Sequence, residues 1–280
     1  MYEAYYGFSE KPFSLLPDPD FLYLGAKHRA ALTMLQYGLM SNAGFTVVTG
    51  EIGSGKTTLI RQVLNEIESD MTVGLITNTH ESFGELLQWV LMAFNLEYKN
   101  LDKVEMYELF INFVIEEYAQ SRRTVLIIDE AQNLSVETLE ELRMLSNVNA
   151  DKNQVLQLIL VGQPQLRDKL RKPELTQFAQ RILIAHHLDT LSVDEAHAYI
   201  RHRLQVVGGD PELFDEKARK LLWYHSQGVP RVINSLCDVT LVYGYAANLS
   251  QIDEGLVKEV VRDRKQGGIF TGGDEQEAVG

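Results

Sequence analysis

A single cysteine in 280 residues excludes an internal disulfide and any multi-cysteine zinc site. That residue, Cys237, follows the largely apolar stretch Val232 to Leu236 and reads as a packed core thiol. No uninterrupted apolar stretch approaches the ~18 residues of a membrane span, and Met1 to Tyr5 lacks the basic and apolar regions of a secretory signal. A soluble, cytoplasmic chain is therefore expected. Positive charge is also scarce, since 26 Lys and Arg face 39 Asp and Glu for a formal −13. Such a field opposes non-specific adhesion to nucleic acid or anionic lipid. The basic clusters Arg167 to Lys172 and Arg201 to Arg203 read as solvated helix faces. Proline is sparse, yet Pro12, Pro17 and Pro19 crowd together among Tyr6, Phe8, Phe13, Phe21 and Tyr23. That spacing forbids a regular helix and predicts an aromatic strap laid across the core.

What the chain does have is ample apolar content, 45%, enough for one large domain and a smaller one. Directly after the apolar run Phe45 to Thr49 comes Gly50-Glu51-Ile52-Gly53-Ser54-Gly55-Lys56-Thr57-Thr58, a G-x-x-x-x-G-K-[ST] phosphate loop. Gly50, Gly53 and Gly55 let the backbone around Ser54 curl until successive N–H groups point at phosphate, and the following helix presents its positive end there. Lys56 suits the β- and γ-phosphates, Thr57 a Mg²⁺ ion, and Thr58 opens the helix. A nucleotide-binding protein is predicted.

The second chemical element is Val125-Leu126-Ile127-Ile128-Asp129-Glu130, an apolar run suited to a strand buried on both faces, ending in two carboxylates. Asp129 at its tip would hold Mg²⁺ through the ion's water shell, and Glu130 would polarise the attacking water. Binding thereby becomes predicted hydrolysis. The lone His28, near a helix start, reads as a packing or capping residue, although it could approach the nucleotide.

Along the chain, helices are predicted at about Ala26 to Met40, after the phosphate loop, at Ser82 to Phe94, Met106 to Gln120 and Ser135 to Asn147. Strands are predicted at Thr72 to Thr77, Val155 to Val161 and Arg181 to Ile184, beside those carrying the two motifs. Alternating strands and helices signal an α/β fold, a parallel sheet with helices on both faces. From Val193 the pattern is helical: about Asp194 to Val207, Asp215 to Ser226, Pro230 to Tyr245 and Asp253 to Arg264. Ser192 and Glu195 form a candidate capping box. The expected organisation is an α/β nucleotide domain with its strap over 1–188, a helical lid over 189–264, and a tail over 265–280 with the composition of a disordered end.

An α/β nucleotide domain followed by a helical lid resembles the AAA+ superfamily of P-loop proteins, and within it the ExeA or GspA group of bacterial ATPases. The resemblance covers residues 2 to 264. It is carried by Tyr6-Gly7-Phe8, Pro12-Phe13, Pro17-Asp18-Pro19, His28, Asp129-Glu130-Ala131-Gln132, Gly162-Gln163-Pro164, Gln180-Arg181-Ile182 and Gly228-Val229-Pro230-Arg231-Val232-Ile233-Asn234. It implies ATP with Mg²⁺ as cofactors and three further roles. Gln163 matches the sensor residue near the γ-phosphate, and an amide suits it by donating and accepting at once. Arg231 matches the lid arginine that reaches the γ-phosphate. Arg181 matches the finger acting on a neighbouring subunit's nucleotide, with Arg167, Arg171 and Arg201 as competitors; a guanidinium forks onto phosphate oxygens in either role.

The resemblance also implies a nucleotide-dependent homo-oligomer that assists assembly of an envelope system, in secretion, pilus or exopolysaccharide and exosortase pathways. ExeA itself carries a transmembrane helix and a peptidoglycan-binding region after its ATPase. Those are not in this sequence, so an envelope role is expected to run through a membrane or envelope-machinery partner. Two alternatives stand beside this: a DNA-binding transposition regulator of the TnsC or TniB kind, which the acidic charge disfavours, and a low-turnover nucleotide-gated switch, which Glu130 disfavours.

Overall fold

In the computed structural model, which describes residues 1–16, 18–66, 70–77, 85–150 and 153–267, five of the apolar runs pair into one parallel sheet. Its strands are β1 (Phe45–Gly50), β2 (Met71–Ile76), β3 (Arg123–Ile128), β6 (Leu156–Gly162) and β7 (Ile182–Leu188), in the order β2-β3-β6-β1-β7. A two-residue hairpin, β4 (Asn149–Ala150) and β5 (Asn153–Gln154), precedes β6 and has no counterpart in the sequence reading. Every residue of β1 and β6 is buried, which is why these segments read as continuous apolar runs rather than alternating ones. Register puts Thr49 opposite Gly162 and Ile128 opposite Leu160, so the carboxyl ends of β1, β3 and β6 lie along one edge of the sheet. In open α/β sheets that edge is where ligands bind.

Helices α2 (Ala26–Met40), α4 (Leu86–Ala93), α5 (Lys103–Ala119), α6 (Val136–Leu145), α7 (Pro164–Leu170) and α8 (Thr176–Ala179) belong to the same unit, formed by Ala26–Glu51 and Leu59–Leu188. The core gathers Phe45, Leu126, Ile128, Phe110 and Phe178, with the Phe45 and Phe178 rings 4.6 Å apart. The predicted helix Ser82 to Phe94 corresponds to α4, and its positions 82–84 fall outside the described residues. The last strand runs to Leu188 rather than stopping at Ile184, because Ala185, His186 and His187 pair with Val47, Val48 and Thr49. His187 Nδ1 also meets Thr49 Oγ1 at 2.9 Å, so polar residues that looked like a strand end are held within the edge strand.

The second unit comprises Met1–Gly25, Ile52–Thr58 and the chain from Asp189 onward. Its helices are α9 (Val193–Val206), α10 (Glu216–Ser226), α11 (Pro230–Ala246) and α12 (Glu254–Gln266), within two residues of the predicted spans. Each of three starts has a side-chain cap: Ser192 in a reciprocal box with Glu195, Asp215 on Ala218 N–H, and Asp253 on Leu256 N–H. Residues 268–280 of the expected tail lie outside the described residues.

The strap, which includes the short helix α1 (Glu3–Tyr6), packs differently from its assignment to the nucleotide domain. Tyr2, Phe8, Phe13 and Phe21 are buried in the hydrophobic core of the helical unit. The polar anchor is Arg203, 6% exposed, whose Nε donates to the Pro12 carbonyl at 2.5 Å and whose Nη2 donates to the Ser14 carbonyl at 3.1 Å. Its guanidinium carbon lies 4.3 Å from the Phe21 ring centre. A buried cation needs such partners, and the carbonyls of a proline-broken segment supply them because no helix consumes them. The arginine cluster at 201–203 is therefore not uniformly a solvated face.

Candidate nucleotide site

Local conformation at the phosphate loop follows from its glycines. Gly53 and Gly55 take φ of +77° and +102°, and α3 (Lys56–Glu66) starts immediately after. The turn buries Ser54 fully and Lys56 to 6% exposure, while Thr57 stays exposed at the helix start. Gly53 is needed for a further reason: a Cβ there would stand 2.5 Å from the Cβ of Arg231. The Arg231 backbone N–H donates to the Gly53 carbonyl at 3.3 Å. Arg231 is exposed, and its aliphatic stem lies against Gly53.

The turn that delivers Arg231 is fixed by its neighbours. Gln227 and Gly228 both have left-handed backbones, and a Cβ on Gly228 would lie 2.1 Å from the Leu191 carbonyl oxygen. That carbonyl accepts from the Trp223 indole N–H at 2.9 Å, and Leu191 N–H donates to the Gly228 carbonyl at 2.9 Å. Pro230 then supplies the first helical position of α11. Positive-φ glycines, an opening helix, a lysine and an arginine together make an anion cradle, and a triphosphate fits that donor set.

At the end of β3, Asp129 is 6% exposed, its N–H bonded to the Ile76 carbonyl at 2.8 Å. Asp129 Oδ1 accepts from Glu130 N–H at 2.9 Å. Glu130 has φ 53° and ψ 33°, a left-handed conformation that costs a residue with a Cβ roughly 1–2 kcal/mol. Its carboxylate oxygen Oε2 accepts from Gln132 Nε2 at 2.6 Å and from Gln163 Nε2 at 3.2 Å. Gln132 Oε1 in turn accepts from Gln163 N–H at 2.9 Å. Lys169 Nζ donates to the Gln132 carbonyl at 2.7 Å. Asp129, Glu130 and Gln163 thus come together at the sheet edge.

Gln132 and Lys169 were not among the sequence candidates; Gln132 appeared only inside the family motif. Among the described residues no group of three or more His, Cys, Asp or Glu could hold a metal. Mg²⁺ takes one or two carboxylates, for which Asp129 is the candidate, and completes its shell with phosphate oxygens and water.

Arg181 stands apart from these carboxylates. Its Nη1 donates to the Arg143 carbonyl at 3.0 Å and to Ser146 Oγ at 2.9 Å, closing the C-terminus of α6. His28 is buried on the inner face of α2, and Cys237 is fully buried, its thiol pushed up by that burial.

Known proteins share parts of this sequence and fold. Residues 39–170 match the model of the AAA domain. General secretion pathway protein A of Aeromonas hydrophila is 39% identical over 256 residues, covering 91% of this chain and 47% of that protein. A potential ATP-binding protein of Staphylococcus aureus is 34% identical over 91 residues, 32% of this chain and 31% of that one. The chain thus spans about half the length of the Aeromonas protein, 47%. Among solved structures, Cdc6p of Pyrobaculum aerophilum superposes with a TM-score of 0.68 at 15% identity, over 89% of this chain and 71% of its own. The ORC2 protein of Aeropyrum pernix superposes at 0.65 and 16% identity, over 91% and 72%. At such identities these structures speak for the fold alone.

Proposed function

Because this chain belongs with general secretion pathway protein A among the AAA+ ATPases, we propose that it binds Mg²⁺-ATP, hydrolyses it in a homo-oligomer, and uses that cycle to assist assembly of an envelope system. The observation that carries this reading is the 39% identity over 91% of the chain, which spans both units.

When bound, Mg²⁺-ATP supplies a phosphoanhydride made electrophilic by the metal. The chain's own residues do the rest. The backbone of Gly53 to Gly55, with Lys56, would cradle the phosphates and Arg231 would add a forked cation, while the Thr57 hydroxyl would ligate the metal and the Asp129 carboxylate would hold it through its water shell. Glu130 takes up the proton side of the attacking water, and Gln163 orients it. Arg181 acts on the nucleotide of an adjacent subunit, using guanidinium nitrogens other than the Nη1 that caps α6. An envelope partner receives the conformational output. Among the described residues no helix is long and apolar enough to cross a membrane.

Steady-state phosphate release across a range of protein concentrations, with and without duplex DNA, tests this. Turnover per subunit that rises with concentration and ignores DNA supports it. Turnover that needs DNA favours the transposition-regulator alternative, and no phosphate release at any concentration favours the nucleotide-gated switch.

A further inference from the structure

We propose that Gln132 is the positioning residue of this site, fixing the Glu130 carboxylate and tying its position to that of Gln163. The inference rests on the reading of Glu130 as the group that polarises the attacking water.

Three side chains form a closed ring of hydrogen bonds. Gln132 Nε2 and Gln163 Nε2 converge on the same Glu130 oxygen, while Gln132 Oε1 takes the Gln163 backbone N–H. Two donors on one oxygen fix the rotation of a carboxylate whose side chain otherwise has three free torsions. An amide closes this ring because it donates from one atom and accepts at the other. Glutamine reaches; asparagine is one methylene shorter.

Gln132 is itself immobilised. It sits in the tight turn Ala131–Asn133, closed by Asn133 N–H on the Glu130 carbonyl at 3.0 Å, and its own carbonyl is clamped by Lys169 from α7. α7 begins at Pro164, next to Gln163. Both hydrogen bonds of Gln132 beyond its own turn therefore lead to the segment from Gln163 through α7, which starts at the β6–α7 junction. A shift of that junction changes the set of Glu130 through one side chain, with no movement of β3 required.

The test uses the full chain and two substitutions. Gln132→Glu keeps an acceptor for the Gln163 N–H but replaces the donor facing Glu130 with a like charge; Gln132→Leu removes both. Turnover at saturating Mg²⁺-ATP and affinity for a fluorescent ADP analogue are measured beside wild type and Glu130→Gln, with thermal midpoints recorded.

Misplacing a catalytic group by about 1 Å costs on the order of 10²-fold. Turnover should accordingly fall by about 10- to 100-fold in both variants, with ADP affinity within about threefold of wild type and midpoints close to it. Combining either change with Glu130→Gln should cause no further loss. Wild-type turnover in Gln132→Glu, beside an inactive Glu130→Gln, overturns this inference alone. A fall in ADP affinity matching the fall in turnover also overturns it, since Gln132 would then support the fold of the site. Wild-type turnover in Glu130→Gln overturns the reading of Glu130 itself and this inference with it.

Discussion

Glu130 holds a left-handed backbone, a cost that persists only where the surroundings over-determine the conformation, and here three hydrogen bonds within the turn and the adjoining loop do so. Arg231 is the complementary case, an exposed arginine placed by a rigid turn against Gly53. Arg231→Ala should weaken binding of a non-hydrolysable ATP analogue by about 10-fold or more, the worth of one charge-assisted contact, while ADP affinity holds. Titration calorimetry with both nucleotides checks this; equal losses for ATP and ADP would place Arg231 away from the terminal phosphate.

Arg181 has a structural duty as well. Losing its two bonds at the end of α6 in Arg181→Ala should cost about 1 kcal/mol in urea denaturation of the nucleotide-free chain. The residues of the phosphate loop and the Asp129-Glu130 pair were legible because their chemistry is contiguous along the chain. The Gln132–Gln163 link was not, since a side-chain bond across 31 positions leaves no local pattern.

Among elements, those buried on both faces were read best: β1 and β6 are fully enclosed, and their composition says so. The helices of the second unit were legible from caps and breakers that act within a few residues. β7 and the strap were read less well, because what decides them is tertiary. His186 and His187 extend an edge strand through partners on β1, and the strap's aromatics match the core of the helical unit. Phe13, 1% exposed and 6.0 Å from the Phe214 ring in an edge-on pair, tests that packing. Phe13→Ala should cost about 3–5 kcal/mol of stability, and chemical denaturation that leaves it as stable as wild type would contradict the docked strap.

At the end of α5, Glu117 is hydrogen-bonded by the guanidinium of Arg122 just beyond the helix, which, helped by Thr72, holds the Glu117 carboxyl below its ordinary range against the opposing effect of burial. The unfolded chain therefore takes up that proton more readily than the folded one. The contribution is present above the ordinary carboxylate pKa and lost as pH falls through the folded value. Glu117→Gln should be less stable by about 1 kcal/mol at pH 7, and the gap to wild type should close on acidification. A gap that is constant with pH would show that the charge of Glu117 is irrelevant.

For the whole molecule, the division into units is informative because residues 1–25 and 52–58 group with the chain after Asp189. The first 25 residues and the helices after Asp189 build one core, a long-range pairing that a residue-by-residue reading could not assign. Net charge acts at the same scale. At −13 the chain has little to gain from counterion release on DNA, so duplex DNA should leave turnover unchanged at physiological salt. A finger acting between subunits makes turnover per subunit rise with protein concentration, and Arg181→Ala should bind ATP yet lose on the order of 10³-fold in rate.

The central claim, that Glu130 drives hydrolysis at a site that holds ATP independently of it, is met most directly by one comparison. Single-turnover hydrolysis and ATP affinity are measured for wild type and Glu130→Gln at a concentration where the wild type is fully active. The account predicts unchanged affinity with hydrolysis slowed by about 10²-fold or more. Equal rates in the two proteins would contradict it.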